Sequence, residues 1–283
     1  MATVKNRRIL LARRPAGEPS EADFALSEAG LEDPQSGQML LRTLWLSLDP
    51  YMRGRMSDRK SYASPVGIGE VMVGGTVSEV VASKLEGFIP GDIIEGRTGW
   101  QEYALSDGVG MRKVDPTLGP ISTALGVLGM PGMTAYFGLF NIGAPKPGET
   151  VVVSAAAGAV GAIVGQLAKI KGCRAVGIAG ALEKCAYVVN ELGFDECVSH
   201  HEPDLAKRLE QECPKGIDVY FENVGGKVFE AVFPLLNDFA RIPVCGLIAH
   251  YNDSELPAGA QPGAVTNAGY SHPPLDRPRF SPG

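Results

Sequence analysis

From Ser154 the chain runs through Ala155, Ala156, Ala157, Gly158, Ala159, Val160 and Gly161, a stretch with almost no side-chain bulk to keep a polyanion from the backbone. A pyrophosphate suits such a stretch, because unpaired backbone N–H groups and the positive end of a following helix dipole can receive it. The dinucleotide fingerprint is G-x-G-x-x-G, and Ala156 stands where its first glycine would be. Alanine-rich turns also occur where nothing binds, so the context has to decide. About twenty residues further on, an NAD-binding unit places an Asp or Glu to hold the ribose 2′-hydroxyl. This chain reads Ala179-Gly180-Ala181-Leu182-Glu183-Lys184 there. With no carboxylate at the tip to repel a 2′-phosphate and a lysine one turn into the next helix, the residues point to NADP(H). Lys184 also fits a solvated helix surface, and Glu183 a ribose.

The elements needed to hold these groups are legible around them. Val151, Val152 and Val153 suit a parallel strand covered on both faces. Ile163, Gln166, Leu167 and Ile170 continue the loop as a helix with an apolar face. Arg174 to Ile178 reads as the second strand, Ile217 to Phe221 as a later one, and Arg241 to Leu247 as the fifth. Ahead of this unit, short apolar runs broken by Gly and Pro (Met39 to Leu48, Val71 to Val81, Asp92 to Glu95, Trp100 to Ala104) suggest an all-β barrel. Met133, Ala135, Tyr136, Leu139 and Phe140 read as a helix bridging the two regions. The basic start, Asn6 to Arg14, is read as a first strand with charged flanks; its apolar core is too short for a secretory signal.

Composition narrows the setting. At 283 residues the chain can bury a large core and allows two domains. Its net charge of −6 gives no electrostatic reason to expect nucleic acid or an anionic membrane. Cys173, Cys185, Cys197, Cys213 and Cys245 form no C-x-x-C pair and are expected as free thiols in a cytoplasmic protein. The first cysteine is Cys173 and the first histidine His200, both beyond the barrel region, so a zinc there lacks its usual ligands and no metal is expected.

Four blocks carry a resemblance: Asp49-Pro50-Tyr51-Met52-Arg53-Gly54, Gly99 to Tyr103, Gly129 to Tyr136, and Phe221-Glu222-Asn223-Val224-Gly225-Gly226. They resemble the zinc-independent medium-chain dehydrogenase/reductases, within these the prostaglandin reductase and alkenal double-bond reductase group. The resemblance implies an α/β protein with a GroES-like β-barrel catalytic domain (1–125) and a Rossmann doubly wound parallel sheet (126–257). It further implies NADPH and reduction of carbon–carbon double bonds conjugated to a ketone or aldehyde. It places Tyr251 near the nicotinamide and the substrate carbonyl, where a neutral phenol can hydrogen-bond an oxyanion or relay a proton. Tyr51 falls in the first substrate loop. Both tyrosines also fit simple packing at a domain boundary. The resemblance gives Asn223 a coenzyme contact and sets His200 on the adenosine side, where many relatives have tyrosine; Asn223 also fits a turn before Gly225-Gly226. Arg53 and Arg55 suit either an anionic substrate or surface ion pairs.

Members of the group continue past Pro257 with a sixth strand and a return to the catalytic domain. Residues 258–283 hold five prolines and four glycines and are expected to be a disordered tail. On that reading the sixth strand is missing, the family homodimer is doubtful, and a catalytically impaired coenzyme-binding protein stands as the alternative.

Overall fold

The structure, a computed structural model, describes residues 4–59 and 63–255. In the first half, β1 (Val4–Leu11) and β2 (Phe24–Leu31) form an antiparallel ribbon. A second antiparallel sheet contains β3 (Met39–Leu46), β4 (Thr76–Ser83), β5 (Ile93–Gly96), β6 (Tyr103–Ser106) and β7 (Arg112–Lys113), in the order β6-β3-β4-β5-β7. Met39, Leu41, Val80 and Ile94 fill one core of this sheet. The short helix α1 (Tyr51–Arg55) follows β3 and buries Met52 with Met56, Leu11 and Met72 in another. The four broken apolar runs correspond to β3, β4, β5 and β6, and the basic start to β1, whereas β2 and β7 were not expected from the sequence.

Helix α2 (Met130–Phe137), extended by a π-type turn over Gly138–Gly143, leads into the second half. There β8 (Thr150–Ser154), α3 (Gly161–Ile170), β9 (Arg174–Ala179), α4 (Leu182–Asn190), β10 (Glu196–Ser199), α5 (Leu205–Glu212), β11 (Ile217–Phe221), α6 (Gly226–Val232) and β12 (Leu236–Arg241) alternate along the chain. The parallel strand order is β10-β9-β8-β11-β12. Val151 and Val153 face a core with Ala135, Leu139, Val164 and Ala168, whereas Val152 faces the opposite core with Val176, Leu209 and Val228. Burial on both faces explains the unbroken valine run, at about 1.5–3 kcal/mol per side chain.

Among the described residues the parallel sheet has five strands, and the fifth departs from expectation. It is Leu236–Arg241 and not Arg241 to Leu247. Ile217 pairs with Leu236 and Val219 with Arg241, so five steps on β12 oppose two on β11 and the excess bulges out. Phe239 sits in that bulge at φ 63° and is 88% exposed. Beyond Arg241 the pairing thins to one bridge, Glu222 to Val244. Pro243 has no N–H to give a ladder, although its carbonyl accepts from Glu222 N at 2.9 Å. Arg241 is instead a tether, donating to the Gly143 and Asp218 carbonyls at 2.8 and 3.1 Å and pairing with Glu149. The tail expectation for 258–283, and with it the sixth strand, lies outside the described residues.

Candidate functional site

The order in which successive strands are added reverses between the parallel neighbours β8 and β11, and ligands of doubly wound sheets collect beyond the carboxyl ends of strands at such a point. Ser154 and Ala155 leave β8 there, facing Glu222 and Asn223 at the end of β11. Ala155 adopts φ 50°, so Ala155 makes the sharp turn that the fingerprint assigns to its first glycine. Ala156 is fully buried, and a Cβ added to Gly177 on β9 would lie 2.8 Å from its methyl. A Cβ on Gly161 would stand 2.3 Å from the Ala155 carbonyl oxygen. Glycine there lets α3 begin directly against the turn. Ala157, Gly158, Ala159 and Val160 form the loop between, with Gly158 and Ala159 exposed. This cradle, which one added carbon would fill, fits a pyrophosphate.

The second expected cluster lies at the tips of β9 and β10. Gly180 follows β9, Lys184 is exposed in the first turn of α4, and His200 is exposed just after β10. A Cβ on Gly180 would lie 3.7 Å from the His200 ring and 3.9 Å from that of His201. The two imidazoles meet edge to face with centroids 4.2 Å apart. Partial burial, then the neighbouring His201 and Lys184, hold the His200 pKa below its usual value. Ser199 Oγ donates to the Gly180 carbonyl at 2.6 Å and accepts from His201 N at 3.2 Å, joining the two tips. Gly180, Lys184 and His200 are thus brought together. His201 was not singled out in the sequence, and its only signal there is adjacency to His200.

Asn223 is committed to the protein: its Nδ2 donates to the Ser154 carbonyl at 2.7 Å, and its backbone N to Ser154 Oγ at 2.8 Å. The residue before it is a second omission from the sequence reading. Glu222 is fully buried, and its Oε1 accepts from Ser154 Oγ at 2.9 Å and Val224 N at 2.6 Å. No sequence periodicity marks it, since it lies at the end of an apolar strand. Burial, followed by the carboxylate of Glu222, pushes the neighbouring Tyr220 phenol upward in pKa.

Tyr251 lies at the end of a 3-10 turn over Ile248–His250 and is half-buried. A Cβ on Gly246 would sit 2.7 Å from its hydroxyl oxygen. Its neighbour Asn252 accepts from Arg53 Nε at 3.0 Å, and Arg53 also donates to the Gly17 carbonyl at 2.8 Å. Arg53 therefore fastens the Tyr251 segment to α1, and neither of the two roles expected for it describes these bonds. Arg59 adds bonds to the carbonyls of Asp253 and Ser254. Tyr51 begins α1 and lines a recess of about 50 Å³ with Ser47, Asp49, Glu95, Arg97 and Met130. The Arg53 link brings the two tyrosine-bearing segments to one junction between the sheets.

Among the described residues, no three His, Cys, Asp or Glu side chains converge as a metal site, and no helix is long and apolar enough to cross a membrane. The five cysteines are free.

Residues 7–114 match the family model described as the N-terminal domain of oxidoreductase, and residues 159–263 the one described as zinc-binding dehydrogenase. The chain is 58% identical over 255 residues to the NADPH-dependent curcumin reductase of Escherichia coli (strain K12), covering 90% of this chain and 74% of that protein. It is 44% identical over 254 residues to prostaglandin reductase 1 of Mus musculus, covering 88% and 75%. The crystal structure of CurA from Vibrio vulnificus in complex with NADPH superposes with a TM-score of 0.86 at 56% identity, covering 91% of this chain and 76% of that one. Identity of this extent, along a parallel sheet preceded by antiparallel strands, shows that the chain belongs to the zinc-independent medium-chain dehydrogenase/reductases, beside the curcumin and prostaglandin reductases.

Proposed function

We propose that this protein is an NADPH-dependent reductase of α,β-unsaturated ketones or aldehydes, with residues 1–125 as its catalytic domain and 126–257 as its coenzyme domain. The observation that carries the reading is the strand end at Ser154, the left-handed turn at Ala155 and the bare approach to Gly161. It is supported by relatives named NADPH-dependent curcumin reductase, prostaglandin reductase 1 and NADP(+)-dependent 2-alkenal reductase.

Ala155, Ala157, Gly158, Ala159, Val160 and Gly161 receive the pyrophosphate on their backbone, with the start of α3 behind them. Lys184, with Gly180 and His200 at the same edge, receives the 2′-phosphate; a lysine serves there as a point charge. Asn223 holds the mouth of the site through Ser154. Bound NADPH supplies the hydride. Tyr51 lines the substrate recess, and the Tyr251 hydroxyl donates to the carbonyl oxygen that becomes an enolate, stabilising negative charge where it develops. The same hydroxyl is suited to relay the proton that completes the reduction. In the barrel region, zinc chemistry has no cysteine or histidine ligand available, since the first of either is Cys173.

The test is the loss of NADPH absorbance on adding an enal such as a phenylpropenal, with a saturated aldehyde as control. Consumption with the first and none with the second is expected; the reverse would overturn the reading. Lys184→Ala should raise the NADPH KM about tenfold, equivalent to ~1.4 kcal/mol, without changing that for NADH. An equal effect on both coenzymes would remove Lys184 from the 2′-phosphate.

A further inference from the structure

We propose that Glu222 is a positioning residue for the reaction, coupling the coenzyme-side strand β8 to the turn that carries Tyr251. The proposal rests on the reading of Tyr251 as the proton donor.

Glu222 is fully buried and lies where β11 ends. Its Oε1 accepts from Ser154 Oγ at 2.9 Å on one side and from Val224 N at 2.6 Å on the other. Ser154 is the residue before Ala155, the left-handed start of the phosphate loop. Val224 in turn accepts from Ala249 N at 2.9 Å, and Asn223 O from Ile248 N at 3.3 Å. The backbone of Glu222 adds a third hold, since its carbonyl accepts from Cys245 N at 2.8 Å and Gly246 N at 3.3 Å. Gly246 is the residue beside the Tyr251 hydroxyl. Hydrogen bonds therefore link the start of the phosphate loop to the Tyr251 turn through Glu222 in two ways: its carboxyl oxygen joins Ser154 to Val224 and so to the body of the turn, and its main-chain carbonyl holds the entry. The exit of that turn is held separately by Arg53 on Asn252.

A fixed scaffold for an apolar strand end needs no carboxylate, and burying one is costly unless it is hydrogen-bonded. Among the described residues the hydrogen bonds of the carboxyl group fall on Oε1, which joins Ser154 to Val224. That geometry predicts how substitutions divide. Glutamine keeps an oxygen acceptor for both donors at the same reach, whereas alanine leaves Ser154 Oγ and Val224 N without it. Since alanine removes no group that touches coenzyme or substrate, its effect should fall on turnover, through a misplaced phenol, and not on coenzyme capture.

The experiment is a double-mutant cycle between positions 222 and 251, measuring kcat and the KM for NADPH with an enone, alongside thermal melting. Glu222→Ala should lower kcat at least tenfold with the NADPH KM within about threefold, and Glu222→Gln should restore kcat to within about threefold. Glu222→Ala combined with Tyr251→Phe should be no slower than Tyr251→Phe alone. Multiplying effects, or a fall in NADPH affinity matching the fall in kcat, would overturn the proposal. Should Glu222→Ala fail to fold, Glu222→Met decides, because it keeps the length of the side chain and removes the acceptor oxygen from both donors. It should slow kcat about threefold or more at unchanged NADPH KM, again without adding to Tyr251→Phe, and an additive or absent effect refutes the coupling. Full turnover by Tyr251→Phe would instead refute the reading of Tyr251 itself, whatever Glu222 does.

Discussion

Tyr251→Phe is expected to lower kcat for a conjugated ketone by about 10²-fold or more, the range in which a positioned acid contributes. The coenzyme dissociation constant should stay within about twofold of the parent. The substitution removes one oxygen and leaves the ring, so the 3-10 turn of Ile248–His250 and the Arg53 to Asn252 bond should persist. The turn is tied to β11 at Ile248 and Ala249 through backbone groups that the phenol does not share. A loss confined to kcat, with NADPH binding and melting unchanged, is what a donor to the developing enolate predicts. Steady-state kinetics with fluorescence titration of NADPH checks it. Unchanged turnover would make Tyr251 a packing residue at the junction of the sheets.

Gly161→Ala should have a comparably large effect, and on the opposite quantity. Its new Cβ would lie 2.3 Å from the Ala155 carbonyl oxygen and within 3.0 Å of the Ala156 Cα, both backbone atoms with no rotamer to yield. Either α3 must move away from the turn or the turn must open. Both responses withdraw N–H groups from the position where a pyrophosphate would sit. A loss of NADPH affinity of more than tenfold is expected, with about 1–3 kcal/mol of destabilisation from overpacking. Gly158→Ala should be milder, because its added carbon would meet the same oxygen at 3.1 Å. Calorimetric titration of both variants gives the order; equal affinities for the two would contradict the cradle.

The legible parts of the molecule were those written locally. The β-branched run Val151 to Val153 and the small-residue loop after it specify a strand, a turn and a helix in succession, and the structure has them at Thr150–Ser154 and Gly161–Ile170. The strand Ile217–Phe221 agrees residue for residue with its expected span. The lack of cysteine and histidine before residue 173 was equally plain, because ligand chemistry depends on residue type alone.

Residues whose importance comes from distant partners were not legible. Glu222 reads as one more polar residue after an apolar strand; only the return of the chain through Cys245 and Ala249 makes it a joint between β8 and the Tyr251 turn. Arg53 suited either an anionic substrate or a surface ion pair until the fold set Asn252 against it, 199 positions away. The fifth strand was misplaced because hydrophobicity favoured Ile242 to Leu247, while its pairing is decided by the register on β11 and by the N–H that Pro243 lacks. Sequence by itself determined most of the elements, the small-residue turn between β8 and α3, and the family, since these follow from propensity, side-chain size and motif. Tertiary structure decided which side chains converge, because hydrogen bonds at a switch point join strands that the chain visits far apart.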